Sequence, residues 1–540
     1  MTSRRLMQLL LLVAAAFVFT ACGNETPHNQ FSGRLSLDLQ DTELQVEVLT
    51  DWEDFASQPD RRTNTLPDFD FAFFQHDDVL LPAQRGPIAG DHPHWEFLLA
   101  PGSVAPTSSS DGFSKVSLPF ALIEKNANCI HNGVLRFRIN TDGAVSNASI
   151  SVASETCMYF KLNIEGEVAA TYTPGPVPNA TAELANYQQH RAAQIPTRPI
   201  TELATRYPDA DLDALANAKN VNSADMTTYG LVLDGVHYRG ACSTRKGDYP
   251  FCEQVYLPSY STAKSLYASL ALMRLEKRYP GAANALVSRY VPACAGEQWR
   301  DVRFIDLLDM ASGNYDSAAP NKDETDPRMD PGFFYPERHA DKIAFSCNVF
   351  PRRSDPGTVW TYHTTDTYIL STAMTAFLRE REGPQADTWR DLIQALWQPL
   401  QLSPLTHYTR RSLDERGQPW AGFGLVYQPD DIARLALALG NGDFDELLDP
   451  VMLDQALQRG DAPQGLPAGE GIYYTHGFYA LNLGAALQCD EPLWIPVMSG
   501  YGGLAVAVLP GDMTYYYFSD GGAHSWTPPL RALHALTPLC

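Results

Sequence analysis

The sequence predicts an α+β protein in two parts, in which an all-β region precedes a region that mixes strands and helices. Alternating polar and apolar residues at 34–39, 134–139 and 148–152 predict strands in the first part. In the second part, 228–238 predicts a hairpin around an Asp-Gly turn, and 504–518 predicts a strand pair. Residues 261–279 carry apolar side chains at helical spacing.

The strand-rich part is predicted to form a small β-sandwich over residues 31–175, with a turn at 140–143. A proline-rich stretch at 174–178 ends it, and 176–200 is predicted to be a linker with a helix from Thr181 to Ala193, capped by Thr181. Residues 201–540 then form the second domain. The first domain carries no recognisable motif. A spacer, a wall-binding module and a lid over an active site all remain open, and a spacer is the simplest interpretation.

Residues 261–264, Ser-Thr-Ala-Lys, place a hydroxyl and an amine three residues apart at the start of the apolar helix. Residues at this spacing share one face of a helical turn. A lysine that is partly buried there is neutral more readily and accepts the serine proton. Ser259 is predicted to cap the helix. A second Ser-x-x-Lys, 243–246, lies beside a Gly-Asp turn without a following helix and is interpreted as a surface loop.

Four segments around Ser261 resemble, in the same order, the serine hydrolases that share a fold with class C β-lactamases and low-molecular-weight penicillin-binding peptidases. The hairpin at 228–238 comes first. Residues 302–313, VRFIDLLDMASG, resemble T-I-R-D-L-L-x-H-T-S-G, and 356–364, PGTVWTYHT, resemble P-G-x-x-F-x-Y-S-N. Residues 498–503, MSGYGG, stand where the family has H/K-T-G-x-x-G. The resemblance covers about residues 200–540. It implies a two-lobed domain, an antiparallel sheet flanked by helices plus a helical lobe.

The resemblance also implies a set of site residues. Ser261 is the nucleophile, and Lys264 and Tyr362 share one proton as its acid–base pair, with either of them as the base. The backbone N–H groups of Ser261 and Tyr501 form the oxyanion hole. The remaining positions are expected to bind substrate: Thr364, Met498, Ser499 and Gly500.

Three residues depart from the family pattern or adjoin it. Met498 stands where the family has Lys or His, and its thioether supplies no positive charge for a substrate carboxylate. Thr364 replaces an asparagine and leaves a hydroxyl in place of an amide. His363 adjoins Tyr362 and titrates near neutral pH, but we interpret it as a packed or surface residue.

Other catalytic motifs are missing from the sequence: it contains no G-x-S-x-G, no H-E-x-x-H and no G-x-x-x-x-G-K-[ST]. Residues 91–94, Asp-His-Pro-His, have the spacing of metal ligands but no cysteine or acidic cluster beside them, so we expect an exposed loop. No metal and no cofactor are predicted. A further polar stretch is interpreted as a solvated loop that flanks the pocket and shapes substrate choice: Asp326, Asp330, Glu337, His339 and Asp341.

The N-terminus resembles a bacterial lipoprotein signal. Arg4 and Arg5 precede an apolar run at 6–19, and Thr-Ala-Cys ends at Cys22. The resemblance implies removal of residues 1–21, acylation of Cys22 and a tether at 22–30, and Gly23 favours the outer membrane. We therefore expect a lipid-anchored, periplasm-facing protein of the bacterial cell envelope that touches the membrane only through its N-terminal lipid.

The cysteine count agrees with export to an oxidising compartment. Of nine cysteines, Cys22 is assigned to the lipid, and an even number remains. The eight remaining cysteines can pair in about 105 ways, and the sequence does not decide among them. The predicted disulfides are Cys129–Cys157, Cys242–Cys252, Cys294–Cys347 and Cys489–Cys540.

Composition restricts the partners. A net charge of −23 disfavours nucleic acid, and 44% hydrophobic residues indicate a globular protein. The oligomeric state is open. We expect a serine hydrolase that cleaves an ester or amide, in a small molecule or a cell-wall-derived substrate, through an acyl-enzyme on Ser261. The alternatives are a D-Ala-D-Ala-type peptidase or β-lactamase, and a non-catalytic protein that binds a wall component on the same fold.

Overall fold

The computed structural model describes residues 30–39, 44–106, 112–460 and 464–540. The predicted signal segment and Cys22 lie outside these residues. Two large sheets organise the described chain, one on each side of residue 175. None of the described helices has the length and apolar character needed to cross a bilayer.

The N-terminal strands form one antiparallel sheet that closes on itself. Its strands are β1 (Ser32–Asp38), β2 (Gln45–Asp51), β3 (Asp70–His76), β4 (Val79–Pro82), β5 (Trp95–Leu99), β6 (Gly102–Pro106), β7 (Ser114–Glu124), β8 (Ile130–Ile139), β9 (Ala148–Thr156) and β10 (Phe160–Pro174). β1 pairs with β3 on one side and with β10 on the other. The predicted all-β region is confirmed. A closed sheet replaces the expected sandwich because β10 is 15 residues long and reaches past β9 to β1.

Helices connect and cover the second sheet. They are α1 (Ala180–Ala193), α2 (Leu203–Arg206), α3 (Leu212–Leu215), α4 (Leu270–Arg278), α5 (Val287–Tyr290), α6 (Phe304–Leu308), α7 (His339–Asn348), α8 (Thr364–Glu382), α9 (Ala395–Trp397), α10 (Pro429–Asn441), α11 (Pro450–Ala456), α12 (Gly484–Leu487) and α13 (Thr527–Leu536). The linking helix α1 has Asn179 at its N-cap, so Thr181 lies inside the helix and is not the cap.

The second sheet contains nine strands in the order β11-β13-β12-β23-β22-β21-β20-β19-β18. The strands of this domain are β11 (Thr197–Pro199), β12 (Met226–Leu233), β13 (Val236–Ala241), β14 (Ser243–Thr244), β15 (Gly247–Asp248), β16 (Leu257–Pro258), β17 (Val426–Tyr427), β18 (Leu466–Gly469), β19 (Ile472–Thr475), β20 (Phe478–Asn482), β21 (Trp494–Gly500), β22 (Leu504–Leu509) and β23 (Met513–Ser519). The predicted hairpin is β12–β13, and its turn places Asp234 and Gly235 at φ 51° and 72°. Positive φ at both positions is the geometry that favours Asp-Gly.

Alternate residues of β23 face two different helical layers. Tyr516 and Phe518 belong to the apolar cluster that contains α4, α8 and α10. Tyr515 and Tyr517 belong to the opposite cluster, with Leu530 of α13. The two-residue period of a strand therefore buries both faces of the sheet under helices. The fold is the α+β, β-lactamase/transpeptidase-like architecture that the sequence predicted.

The helical lobe is an excursion of the chain between two short strands. β16 and β17 pair antiparallel, with Leu257 opposite Tyr427. The chain between them contains α4 to α9, so the helical lobe begins after β16 and ends before β17, its pairing partner. The nucleophile segment at 259–261 begins directly after β16, at the junction of the lobes.

Cysteines are joined in four pairs among the described residues. They are Cys129–Cys157, Cys242–Cys252, Cys294–Cys347 and Cys489–Cys540, with Cα–Cα distances of 5.0, 5.7, 5.0 and 5.9 Å. These are the pairs chosen from the sequence. His131 lies close to the sulfurs of Cys129 and Cys157, but those sulfurs are bonded to each other.

Candidate active site

The nucleophile lies at the start of a wide helical turn. The chain is π-helical from Lys264 to Ser269 and then continues as α4. Ser259 does not cap this helix. Its hydroxyl instead donates to Oδ1 of Asn128 at 3.0 Å and accepts from the Leu425 N–H at 2.9 Å. A cap acceptor must be free for the helix N–H groups, and this hydroxyl is already engaged.

The Lys264 amine is buried and makes three hydrogen bonds. Nζ lies 2.9 Å from Ser261 Oγ, 3.0 Å from Thr364 Oγ1 and 3.2 Å from the Gly422 carbonyl oxygen. A lysine ammonium has three donors, so all three are used. In the neutral amine, two N–H groups satisfy Thr364 and Gly422, and the lone pair points at Ser261 Oγ.

Burial lowers the pKa of Lys264 to about 8, and the negative charge of Glu324 acts in the opposite direction. At pH 7 this pKa leaves about one molecule in ten with a neutral amine. An exposed lysine has far less of that form. The amine next to Ser261 is therefore more readily neutral than an exposed lysine at the same pH.

Tyr362 lies beside this pair, two residues before α8. Its ring centroid is 4.9 Å from Lys264 Nζ. Burial raises the pKa of Tyr362 well above its usual value, and the charge of Glu324 acts in the same direction, while a hydrogen bond with Ser261 lowers it. The phenol is therefore protonated at neutral pH and is a proton donor near Ser261.

Glu324 also lies at the site, although no sequence pattern indicates it. Its carboxylate accepts the Thr364 N–H at 2.8 Å and also accepts the Thr364 hydroxyl. Since the same hydroxyl accepts from Lys264, the carboxylate is joined to the amine through Thr364. Glu324 lies in a loop between α6 and α7 and belongs to no motif, so only the folded chain reveals its position.

Ser261 and Tyr501 line the same cavity, as an oxyanion hole made from their backbone N–H groups requires. Tyr501 follows β21 at the turn into β22. A Cβ on the preceding Gly500 would lie 3.1 Å from the Ser259 carbonyl oxygen. A larger residue would therefore push the strand edge away from the nucleophile segment.

A family model described as Beta-lactamase matches residues 250–520. The chain belongs to the beta-lactamase family. The matched segment contains Ser261, Lys264, Tyr362 and Tyr501, and it makes the chain a member of a hydrolase family. No curated protein matches the sequence.

Two solved structures are similar in fold. One is a penicillin-binding protein homolog from Caulobacter crescentus, 17% identical, with a TM-score of 0.41 over 57% of this chain and 91% of the homolog. The other is EstCE1, described as a hydrolase with promiscuous acyltransferase activity. It is 15% identical, with a TM-score of 0.43 over 66% of this chain and 100% of its own.

Three of the four expected substrate-binding residues do not line the cavity: Met498, Ser499 and Gly500. The side chain of Met498 is completely buried in the apolar core with Leu266 and Leu504. The prediction that Met498 contacts substrate is therefore wrong, because its side chain has no exposed surface. The Ser499 hydroxyl lies 3.2 Å from His524 Nδ1. Thr364, in contrast, lines the cavity.

His363 has a structural position in the beta-lactamase domain. It is completely buried, stacks on Phe350 at 4.4 Å and lies 3.1 Å from an Asp323 carboxylate oxygen. Burial lowers the pKa of His363, but the hydrogen bond to Asp323 and the nearby charge of Asp366 outweigh it and raise the pKa to about 9. It is a packed residue, as expected from the sequence, but its raised pKa makes it a cation at neutral pH, and it does not line the cavity.

The cavity in front of Ser261 has a volume of about 590 Å³ and two walls. The beta-lactamase domain contributes one wall, which includes Ser261, Glu324, Asp330, Tyr335, Thr364 and Tyr501. The N-terminal domain contributes the other, which includes Phe55, Arg61, His94, Lys125, Asn128 and Tyr159. The interpretation of the N-terminal domain as a spacer is therefore wrong.

The cavity lining is predominantly acidic. Its carboxylates are Glu53, Asp60, Glu124, Glu324, Asp326, Asp330 and Glu337, whereas its lysine and arginine side chains are Lys125 and Arg61. Burial and the charges of Glu53 and Glu324 raise the pKa of Asp330. The polar stretch predicted to flank the pocket contributes Asp326, Asp330 and Glu337 to it.

Residues 91–94 do not form the exposed loop that was expected. His92 and His94 are 5% and 4% exposed. The His92 ring accepts backbone N–H groups at His94 and Trp95, at 3.2 and 2.9 Å, and His94 lies 3.3 Å from Glu124. Both histidines are therefore buried: His92 bonds to the start of β5, and His94 lies beside Glu124 in the cavity lining.

Proposed function

We propose that this beta-lactamase family member is a serine hydrolase that cleaves an ester or amide through an acyl-enzyme on Ser261. One observation carries the proposal. A buried lysine amine, whose pKa is lowered to about 8, lies 2.9 Å from the Ser261 hydroxyl oxygen. A nucleophile and a base in hydrogen-bond contact are the pair that acyl transfer needs.

The geometry supports Lys264 as the base and Tyr362 as the acid. Neutral Lys264 takes the Ser261 proton as Oγ bonds to the substrate carbonyl carbon, and the backbone N–H groups of Ser261 and Tyr501 hold the oxyanion. The protonated Tyr362 gives its proton to the leaving oxygen or nitrogen and regains one from the Lys264 ammonium. The carbonyl then reforms, and the bond to the leaving group breaks.

Water completes the reaction by the reverse path. It attacks the acyl carbon, its proton passes to neutral Lys264, and the Ser261 oxygen leaves with a proton returned from the same group. Glu324 supports this cycle by stabilising the Lys264 ammonium, whose pKa its charge raises. Thr364 holds both groups in place.

The lining of the cavity favours neutral or cationic substrates. Carboxylates outnumber cations in it, and Met498 supplies no charge on β21. A substrate carboxylate would meet like charges there. These features support an esterase or amidase over a D-Ala-D-Ala-type peptidase or a β-lactamase, whose substrates carry a carboxylate.

We also propose the bacterial cell envelope as its location, with Cys22 as the lipid anchor. The lipoprotein-like signal and the four cysteine pairs support an exported protein. Palmitate labelling of the full chain and of Cys22→Ser tests this. Equal labelling of both would contradict the assignment.

Labelling with a fluorescent phosphonate and a fluorescent penicillin tests the activity. We expect the phosphonate alone to label the wild type, and Ser261→Ala to remove the label. Ser243→Ala is the matched control, because Ser243 belongs to the other Ser-x-x-Lys, on a surface hairpin, and keeps the label. Labelling by both probes would favour the penicillin-type enzyme, and labelling by neither would favour the binding protein.

A further inference from the structure

The turn between β7 and β8 brings one asparagine of the N-terminal domain to the nucleophile segment. Asn128 is 4% exposed and lines the cavity in front of Ser261. The next residue, Cys129, is bonded to Cys157, which precedes β10. The asparagine is thus held by the closed sheet on one side and faces the catalytic domain on the other.

The side-chain amide of Asn128 bonds to the catalytic domain through both its oxygen and its nitrogen. Oδ1 accepts the Ser259 hydroxyl at 3.0 Å, the Tyr260 N–H at 2.7 Å and the Gly424 N–H at 2.9 Å. Nδ2 donates to the Leu425 carbonyl oxygen at 3.1 Å. One buried side chain therefore ties two segments that are more than 160 residues apart.

The first of these segments sets the position of the nucleophile. Tyr260 directly precedes Ser261 and has φ 38°, in the left-handed region that residues other than glycine rarely adopt. Such a conformation persists only where its surroundings hold it. The 2.7 Å bond from the Tyr260 N–H to Asn128 is a contact that does so.

The second segment sets the position of the base. Gly422 accepts a hydrogen bond from Lys264 Nζ at 3.2 Å, two residues before the Gly424 N–H that Asn128 accepts. The same side chain therefore supports both the backbone of Ser261 and the carbonyl that orients the lysine. An asparagine fits because a single amide accepts and donates at once.

We propose that Asn128 is a positioning residue for acyl transfer, through which the N-terminal domain holds Ser261 and Lys264 at reacting distance. The inference rests on the proposed hydrolase function. It assigns the N-terminal domain a part in the reaction, in addition to lining the cavity. Loss of the amide frees the Tyr260 N–H and the 422–425 segment together, and small displacements of reacting groups are costly, at about 100-fold for 1 Å.

Asn132 is a matched control on the neighbouring strand β8. It is 1% exposed, and its amide accepts the Tyr256 N–H at 2.9 Å and donates to the Tyr256 carbonyl oxygen at 3.0 Å. It therefore also joins the two domains through a buried amide. Its contact lies five residues before Ser261 and touches neither the residue next to the nucleophile nor the 422–425 segment.

The test measures phosphonylation of the full chain as a function of probe concentration, which separates the maximal rate from the binding constant. We expect Asn128→Ala to lower the maximal rate by about 100-fold, with the binding constant changed by less than about threefold. Asn132→Ala is expected to keep the rate within about threefold, and thermal unfolding of both variants reports their stability. An equal loss of rate in both variants, or no loss in Asn128→Ala, would overturn the proposal.

Ser259→Ala decides the question if Asn128→Ala does not fold. It removes one of the bonds to Asn128 and leaves the asparagine in place, so we expect a smaller loss of rate, of about tenfold. An unchanged rate would again overturn the proposal. If the wild type reacts and Asn128→Ala and Ser259→Ala react at the same rate as the wild type, the positioning role fails but the hydrolase function stands. If the wild type does not react with the phosphonate, the hydrolase function fails and the inference with it.

Discussion

The two walls of the cavity differ in what they supply. The beta-lactamase wall holds the groups proposed to react, which are fixed by hydrogen bonds or by burial: Ser261, Lys264 and Tyr362. The N-terminal wall carries aromatic rings and charges, such as Phe55 and Arg61, whose guanidinium lies 4.2 Å from the Phe55 ring centroid. The chemistry thus resides in one domain, whereas the shape and charge that a substrate meets are shared by two.

The largest effect is expected from removing the Lys264 amine of the beta-lactamase wall. We expect Lys264→Met to lower kcat/KM for a p-nitrophenyl ester by about 10³-fold, because a general base contributes about 10² to 10⁴. Unfolding temperature should be maintained, since methionine fills the volume without a buried amine. Steady-state kinetics and thermal unfolding measure the two effects.

Lys342→Met is the control for that variant. Lys342 is also buried, its pKa is lowered to about 7 by burial, and Nζ bonds to the Phe333 carbonyl oxygen at 2.7 Å. It contacts no reacting group, so kcat/KM is expected to change by less than about threefold. Equal losses in both variants would show that any buried lysine in this lobe matters, and the assignment of the base would fall.

Charge on the substrate tests the shared lining. Esters that differ only in a trimethylammonium, a tert-butyl or a carboxylate group keep the reacting carbonyl constant. We expect the cationic ester to exceed the carboxylate ester in kcat/KM by about tenfold or more at low salt, because carboxylates dominate the cavity, and the gap to narrow as salt is added. A preference for the carboxylate ester would contradict the assignment of substrate class.

The smallest effect is expected at Glu324, whose negative charge raises the pKa of Lys264. In the proposed mechanism neutral Lys264 is the base, so we expect the rate to rise with pH through its pKa of about 8. The charge of Glu324 raises that pKa, and Glu324→Gln is therefore expected to move the midpoint of the pH profile of kcat/KM to lower pH. Glu337→Gln, also in the lining, should leave the midpoint unchanged. A midpoint that moves upward in Glu324→Gln would contradict this role.

Local patterns in the sequence were sufficient to predict the helix and the hairpin that flank the candidate site. The spacing of Ser261 and Lys264 places both on one helical face, and the Asp234-Gly235 turn specifies its hairpin through positive φ. Such features depend on residues a few positions apart. The family resemblance then supplied Tyr362, which no local pattern separates from the other tyrosines.

The remaining parts of the site depend on contacts between distant residues. Asn128 and Glu324 reach the nucleophile only because two domains and a loop meet there, and nothing in their neighbours' sequence indicates it. Ser259 has the sequence position of a cap, yet its hydroxyl bonds to Asn128. His92 and His94 were expected at the surface because a short polar motif does not report burial.

The φ of 38° at Tyr260 is held by a hydrogen bond to Asn128, which precedes it in the chain and is therefore synthesised first. A nascent chain that has emerged as far as Ser261 already contains Asn128, but it still lacks Thr364, Gly422 and Tyr501. The nucleophile is therefore translated well before its base is oriented or its cavity is closed. Under the proposed function, hydrolytic activity should therefore emerge late, once the two domains have assembled.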